Sequence, residues 1–150
     1  GVRGDTTTDL LKRFRVEAAS IGPDTILFAI GINDSKLSAN RDTHKVPLAQ
    51  FKKNIQELLE QAEEYTHAIR FIGLTRVSDE RANPNGSVFV SAEIQAYDAC
   101  IKECAESKGL LYVSMADVLS TDEDLADGLH PHAHGYQKMY EAISTQILSL

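Results

Sequence analysis

The sequence has no run of about 18 apolar residues, which a membrane-spanning helix requires. It also has no Lys/Arg cluster that could follow a phosphate backbone, and its net charge of -7 argues against a nucleic-acid partner. Its first residues lack the apolar stretch of a signal peptide. We therefore expect a cytoplasmic protein, although a chain that begins without Met leaves open a leader removed earlier.

Cysteine is scarce as well. Cys100 and Cys104 lie four residues apart on a predicted helix, where their side chains are neighbours but a disulfide would need distorted geometry. We expect two reduced, buried thiols, and a metal or redox pair is the alternative.

Apolar and charged residues are present in proportions typical of a soluble domain. The chain has 150 residues, 43% apolar and 25% charged, which is enough to bury a core within a single domain. Runs with helical spacing alternate with short apolar runs rich in β-branched and aromatic residues. We predict helices from just after Gly4 and over residues 47–66, 88–109 and 131–150, and strands over residues 25–31, 68–74 and 110–114.

This alternation predicts an α/β protein with a parallel sheet and helices on both faces. The continuous apolar run over residues 25–31 predicts a strand that is buried on both of its faces. We expect His44 to be a solvated loop residue, and the turn-rich segment 75–87, which contains Asn83-Pro84-Asn85-Gly86, to form a rim or lid over a pocket. One face of the last helix carries apolar side chains, namely Tyr136, Met139, Tyr140, Ile143, Ile147 and Leu148.

The stretch Asp127-Gly128-Leu129-His130-Pro131 carries the strongest chemical signal. An acid three residues before an imidazole, on a Gly-containing turn, suits a catalytic base with its orienting carboxylate. The carboxylate would accept the Nδ1 proton and leave Nε2 free to take a proton from a nucleophile. A surface Asp beside a solvated His is the alternative, because this spacing alone is common.

Two further positions could stabilise developing negative charge. Gly4 precedes a predicted helix, so its backbone N–H could point into an anion site at the helix N-terminus. Asn33 follows the first predicted strand at its carboxyl end, where α/β proteins bind ligands, and its amide could donate to an oxyanion. An ordinary turn glycine and an Asx turn are the alternatives.

Three segments, in this order, resemble the sequence blocks of the SGNH-hydrolase group of the GDSL esterase/lipase family. They are Gly4-Asp5-Thr6-Thr7, Gly31-Ile32-Asn33-Asp34 and Asp127-Gly128-Leu129-His130-Pro131, the last followed by Gly135-Tyr136. The resemblance implies a flavodoxin-like three-layer α/β/α fold and hydrolysis of carboxylic esters through an acyl-enzyme, without a metal or cofactor. It implies that His130 is the general base, Asp127 its orienting acid, and Gly4 and Asn33 oxyanion-hole donors for a small acylated substrate.

The chain departs from this family at its beginning. The family's Gly-Asp-Ser block, which supplies the nucleophile, occurs nowhere in the sequence, and Ser35 fits a turn better than a displaced nucleophile. We therefore expect residues 1–150 to be a single, N-terminally incomplete domain that lacks the first strand, its helix and a second strand. Removing the serine of a comparable triad costs roughly 10⁶ in turnover, so the chain alone should be nearly inactive.

Three interpretations remain open. The nucleophile segment is supplied upstream, by another chain or by a swapped neighbour; or the chain is an inactive remnant that binds a ligand or partner. The third interpretation is a metal site, because His130, His132 and His134 alternate along the chain. We favour the first interpretation.

Overall fold

A computed structural model of the protein describes residues 2–82 and 88–148. Helices and strands alternate in the order α1, β1, α2, β2, α3, β3, α4. The helices are α1 (Thr7–Ile21), α2 (Leu48–Glu63), α3 (Ser91–Ser107) and α4 (Ala133–Leu148), and the strands are β1 (Ile26–Phe28), β2 (Ile69–Ile72) and β3 (Leu111–Val113).

The three strands form a parallel sheet in the order β1-β2-β3. Ile26 pairs with Ile69, and Arg70 pairs with Leu111. Parallel strands need a crossover connection, which α2 provides between β1 and β2 and α3 provides between β2 and β3. The parallel sheet and the helices on both of its faces confirm the predicted α/β fold class.

The larger part of the core lies on one face of the sheet. Phe28 and Phe71 stack there with ring centroids 5.3 Å apart, and α1, α2 and α3 cover them. On the opposite face, Ile72, Val113 and Met115 form a smaller cluster, against which Met139 and Ile143 of α4 pack.

The strand β1 is shorter and more open than predicted. Its pairing with β2 stops at Phe28, and β1 has a partner strand on only one side among the described residues. Leu27 is 47% exposed, so the prediction of burial on both faces is wrong there. The reason is that α4 packs over β2 and β3 and does not reach the side of β1 on which Leu27 lies.

Two other expectations need correction, and the last helix is less buried than its neighbours. The third helix begins at Ser91, because Val88 instead forms an antiparallel bridge with Leu37. Leu37 also bridges His44, whose half-buried ring binds Glu93 through Nε2 at 2.8 Å, so His44 is not simply solvated. On α4, the apolar face is only partly covered, with Tyr136, Tyr140 and Leu148 exposed.

The turn Asn83-Pro84-Asn85-Gly86 lies outside the described residues. The part of the chain that is described contains no helix long and apolar enough to cross a membrane.

Candidate active site

A cavity of about 600 Å³ opens at the carboxyl end of the sheet, a size typical of small-molecule sites. Gly4, Asn33 and His130, which are distant in sequence, all line it. The apolar part of its wall is formed by Ile32, Phe89, Leu129 and Met139.

The Asp127 carboxylate holds the His130 imidazole from one side. Oδ2 of Asp127 lies 2.8 Å from Nδ1 of His130, while Oδ1 accepts the backbone N–H groups of His130 at 2.8 Å and Leu129 at 3.0 Å. These bonds, the His130 backbone N–H foremost, lower the pKa of Asp127 to about 2. The carboxylate is therefore ionised at neutral pH and can accept a hydrogen bond only from a protonated Nδ1, which leaves Nε2 as the ring nitrogen without a contact to Asp127.

Backbone contacts fix the loop that carries this pair. The N–H of Ala126 donates to the His130 carbonyl at 2.8 Å, and Leu125 bridges Pro131, so the loop closes on itself. Gly128 has φ +84°, and a Cβ there would lie 2.6 Å from Cβ of Arg81. The glycine is required both for its left-handed backbone and for the close approach of the 78–82 segment.

The turn after β1 points Asn33 toward the chain's first residues. The N–H groups of Asp34 and Ser35 both donate to the Gly31 carbonyl, which closes the turn. Nδ2 of Asn33 donates one hydrogen to the Asp5 carbonyl at 3.0 Å. An amide nitrogen carries two hydrogens, so one remains for a group in the cavity.

Asp34, the next residue, is fully buried and anchors the same two segments. Its carboxylate accepts the Thr7 backbone N–H at 3.0 Å and the Thr7 hydroxyl at 2.5 Å. Nδ2 of Asn54 donates to that hydroxyl oxygen at 2.8 Å, which leaves the hydroxyl hydrogen for Asp34. Burial raises the pKa of Asp34 to about 6, against the opposing effect of the Thr7 bonds.

This network corrects the expected start of the first helix. The helix α1 begins at Thr7, where Thr6 and Asp9 form a capping box, rather than directly after Gly4. The anion at its N-terminus is the protein's own Asp34. Gly4 lies before the cap with φ +81°, and its N–H has no hydrogen-bond partner among the described residues.

Three cations that sequence reasoning missed also line the cavity: Arg3, Lys36 and Lys45. Nζ of Lys45 donates to the Gly4 carbonyl at 2.9 Å and so fixes the peptide plane beside Gly4. Thr75, after β2, and Tyr136 complete the polar lining. The sequence shows two lysines in the loop after Asn33, but no local pattern indicates that this loop folds back toward the cavity.

Ser35 and His132 have structural roles. Ser35 is buried, and its hydroxyl donates to the Ile32 carbonyl at 2.8 Å, as a turn residue would. Nε2 of His132 contacts the Glu123 carbonyl, and Nδ1 accepts the N–H of His134 at 3.2 Å. With both ring nitrogens engaged, His132 has none left for a metal. The described residues contain no group of three or more His, Cys, Asp or Glu side chains that could hold a metal ion.

The family model of the GDSL-like lipase/acylhydrolase family matches residues 1–138. The chain belongs to this family. Among characterised relatives, a multidomain esterase from Ruminococcus flavefaciens is 32% identical over 120 residues, which are 78% of this chain and 14% of that protein. The chain thus spans a small part of the length of that esterase.

Solved structures agree with the GDSL-like fold. A lipase/acylhydrolase from Enterococcus faecalis is 27% identical with a TM-score of 0.77, over 96% of this chain and 71% of that one. A catalytic mutant of an acetylxylan esterase from Geobacillus stearothermophilus is 20% identical with a TM-score of 0.77, over 96% of this chain and 68% of that one, and shows the fold alone.

The two thiols are free and buried, as predicted from their four-residue spacing on one helix. Burial raises the pKa of both Cys100 and Cys104, which makes them poor nucleophiles.

Proposed function

We propose that this domain hydrolyses carboxylic esters of small acylated substrates by serine acyl-enzyme chemistry, with the serine supplied by a segment outside these 150 residues. The observation that carries the proposal is the shared cavity, into which His130, Asn33 and Gly4 all face. Membership of the family supports the reaction class.

His130 is the general base in this proposal. Its Nε2 takes the proton as the serine Oγ attacks the ester carbonyl carbon, and Asp127 stabilises the imidazolium that forms. The imidazolium then gives the proton to the departing alcohol oxygen as the carbon–oxygen bond breaks. Water repeats the sequence on the acyl-enzyme, releasing the acid and regenerating the serine.

Gly4 and Asn33 are the oxyanion donors. The unpartnered N–H of Gly4 and the second amide hydrogen of Asn33 would bond the tetrahedral oxygen as its charge develops. Lys45 and Asn33 hold the carbonyls of Gly4 and Asp5, which keeps the intervening backbone in one orientation before substrate binds.

A groove runs along the edge of β1 that has no partner strand in the described part of the chain, and this groove supports the proposal of an external serine segment. It is lined by Val2, Leu10, Phe14 and Leu27, and it shares Ala29 with the cavity. A strand paired in parallel with β1 would end at the same sheet edge as β1, next to the cavity. No serine lines the cavity among the described residues, and in the Geobacillus enzyme one catalytic mutant replaces a serine by alanine.

The same absence of a serine favours a second candidate. A domain that keeps the cavity but has no nucleophile would bind an acylated ligand or a partner without hydrolysing it. On the first proposal, residues 1–150 alone are nearly inactive and the complete protein is active; on the second, both are inactive.

The test is the rate of p-nitrophenyl acetate hydrolysis by the full-length protein. His130→Ala should lower kcat by roughly 10⁴–10⁶, because the attacking hydroxyl loses its base. The control is His67→Ala, which removes an exposed imidazole away from the cavity and should leave kcat unchanged. Full activity in His130→Ala would refute the assigned base, and an inactive wild-type protein would favour the binding module.

A further inference from the structure

The charges around the cavity have the opposite sign to the protein as a whole. The chain has 22 Asp and Glu residues against 15 Lys and Arg residues. Yet Arg3, Lys36 and Lys45 line the cavity, and none of its described lining residues is an Asp or a Glu. A cationic lining in an acidic protein is a local feature that net charge does not explain.

Two of these cations have no carboxylate partner within residues 2–82 and 88–148. Neither Arg3 nor Lys36 forms an ion pair with any described residue. Asp5, the acid beside this segment, is instead paired with Arg13 at 2.8 Å on α1. The acid next to His130 is Asp127, which is committed to the imidazole.

Lys45 is partly balanced. Its Nζ binds the Gly4 carbonyl, and its charge acts on the buried Asp34, whose pKa it helps to hold down. That leaves Arg3 and Lys36 as positive charges facing a partly enclosed cavity. Like charges held near one another repel, and an anion in the cavity would relieve that repulsion.

We propose that the site selects esters that carry an anionic group, and that Arg3 and Lys36 bind that group. This inference rests on the proposed ester hydrolysis and adds the substrate class to it. The anion, a carboxylate or a phosphate, lies on either the acyl or the alcohol part of the ester. Charged substrates would also be drawn into the cavity by its field, which a neutral ester would not feel.

Two ester pairs, each made of an anionic ester and a neutral ester of similar size, test the proposal on the full-length protein. Mono-p-nitrophenyl succinate against p-nitrophenyl butyrate places the anion on the acyl side. 4-Acetoxybenzoate against its methyl ester places it on the alcohol side. The measured quantity is the ratio of kcat/KM for the anionic ester to that for its neutral counterpart, so a general loss of activity cancels.

We expect the wild-type ratio to exceed one in at least one pair and to fall as ionic strength rises above about 0.1 M. Lys36→Gln and Arg3→Gln should each lower that ratio by about fivefold, the effect of a partly exposed ion pair. The control Lys53→Gln, which removes an exposed charge from α2, should leave it unchanged. Ratios near one in both pairs, or ratios insensitive to both substitutions, would overturn the proposal while leaving ester hydrolysis intact.

A binding measurement covers the case in which no ester is hydrolysed. That result would refute the proposed function, and calorimetric titration with succinate would then decide the anion site alone. Binding that weakens in Lys36→Gln but not in Lys53→Gln supports the site. Absence of succinate binding to the wild-type protein contradicts it.

Discussion

Asn33 has two amide hydrogens, and the fold uses one of them to hold the Asp5 carbonyl. If the other stabilises the oxyanion, Asn33→Ala should lower kcat by about 10²–10³ with a smaller effect on KM. Steady-state kinetics on p-nitrophenyl acetate measure both constants. Unchanged kcat would show that the second hydrogen takes no part in the reaction.

The matched control is Asn40→Ala, which truncates an exposed amide in the following loop and should have no kinetic effect. Asn33→Asp is the sharper variant, because it keeps the side-chain shape but sets a carboxylate against the Asp5 carbonyl. It should lower kcat at least as far as the alanine substitution does.

The conformation of the loop from Leu125 to Pro131 depends on Gly128. Gly128→Ala would force a left-handed backbone on alanine and bring its Cβ within 2.8 Å of the Ala82 backbone nitrogen. We expect a loss of about 2 kcal/mol or more in the free energy of unfolding, measured by urea denaturation. The loop would shift, so kcat should fall as well.

Gly109→Ala is the comparison for this prediction. Gly109 also has positive φ, at +65°, but a Cβ there would meet nothing within 4 Å. It should cost about 1 kcal/mol from backbone strain alone and leave kcat unchanged. If both substitutions lowered the free energy of unfolding equally, the 78–82 segment would have to move aside for the new methyl group without loss of stability.

The elements were largely predictable from the sequence, because helical spacing and β-branched runs report burial locally. Each of the seven predicted elements is present, with ends that differ by a few residues. The errors fall where burial depends on distant partners. Leu27 looks like a core residue but lies where none of the described helices covers the sheet, and Val88 pairs with Leu37 instead of starting a helix.

The candidate site likewise contains residues that the local sequence predicts and residues that only tertiary contacts bring together. Asp127 and His130 are neighbours in sequence, so their pairing could be predicted from spacing. Arg3, Lys36 and Lys45 come from loops whose paths are set by tertiary contacts, and no local pattern places them around one cavity. The buried role of Asp34 was likewise hidden, because its partner Thr7 lies 27 residues away.

Asp34 should give the stability of the folded protein a distinctive pH dependence. Its folded pKa of about 6 exceeds the usual value of 3.8, so the folded protein binds this proton more tightly than the unfolded chain does. The stabilisation is full below about pH 4 and is lost as the pH rises through about 6. We expect a loss of about 1–2 kcal/mol in the free energy of unfolding across that range.

Urea denaturation of the wild-type protein and Asp34→Asn at several pH values measures this effect. The variant cannot titrate at this position, so the difference in stability between the two proteins should change from pH 4 to pH 7. Asp9 and Asp127 have pKa values lowered to about 2, and they destabilise the protein only when the pH falls below about 4. A pH-independent difference would refute the assignment to Asp34.

The Asp34 network also bears on how this fold would decay over evolution. Asp34 joins the turn after β1 to the first turn of α1, and through Thr7 to Asn54 on α2, so folding itself preserves it. His130 is half exposed and belongs to neither buried cluster of the described residues, so on the proposed function it is hydrolysis, and not folding, that would retain it. In a lineage that had abandoned hydrolysis, His130 should drift while Asp34 persists, and the order of loss among descendants would record when the activity ceased.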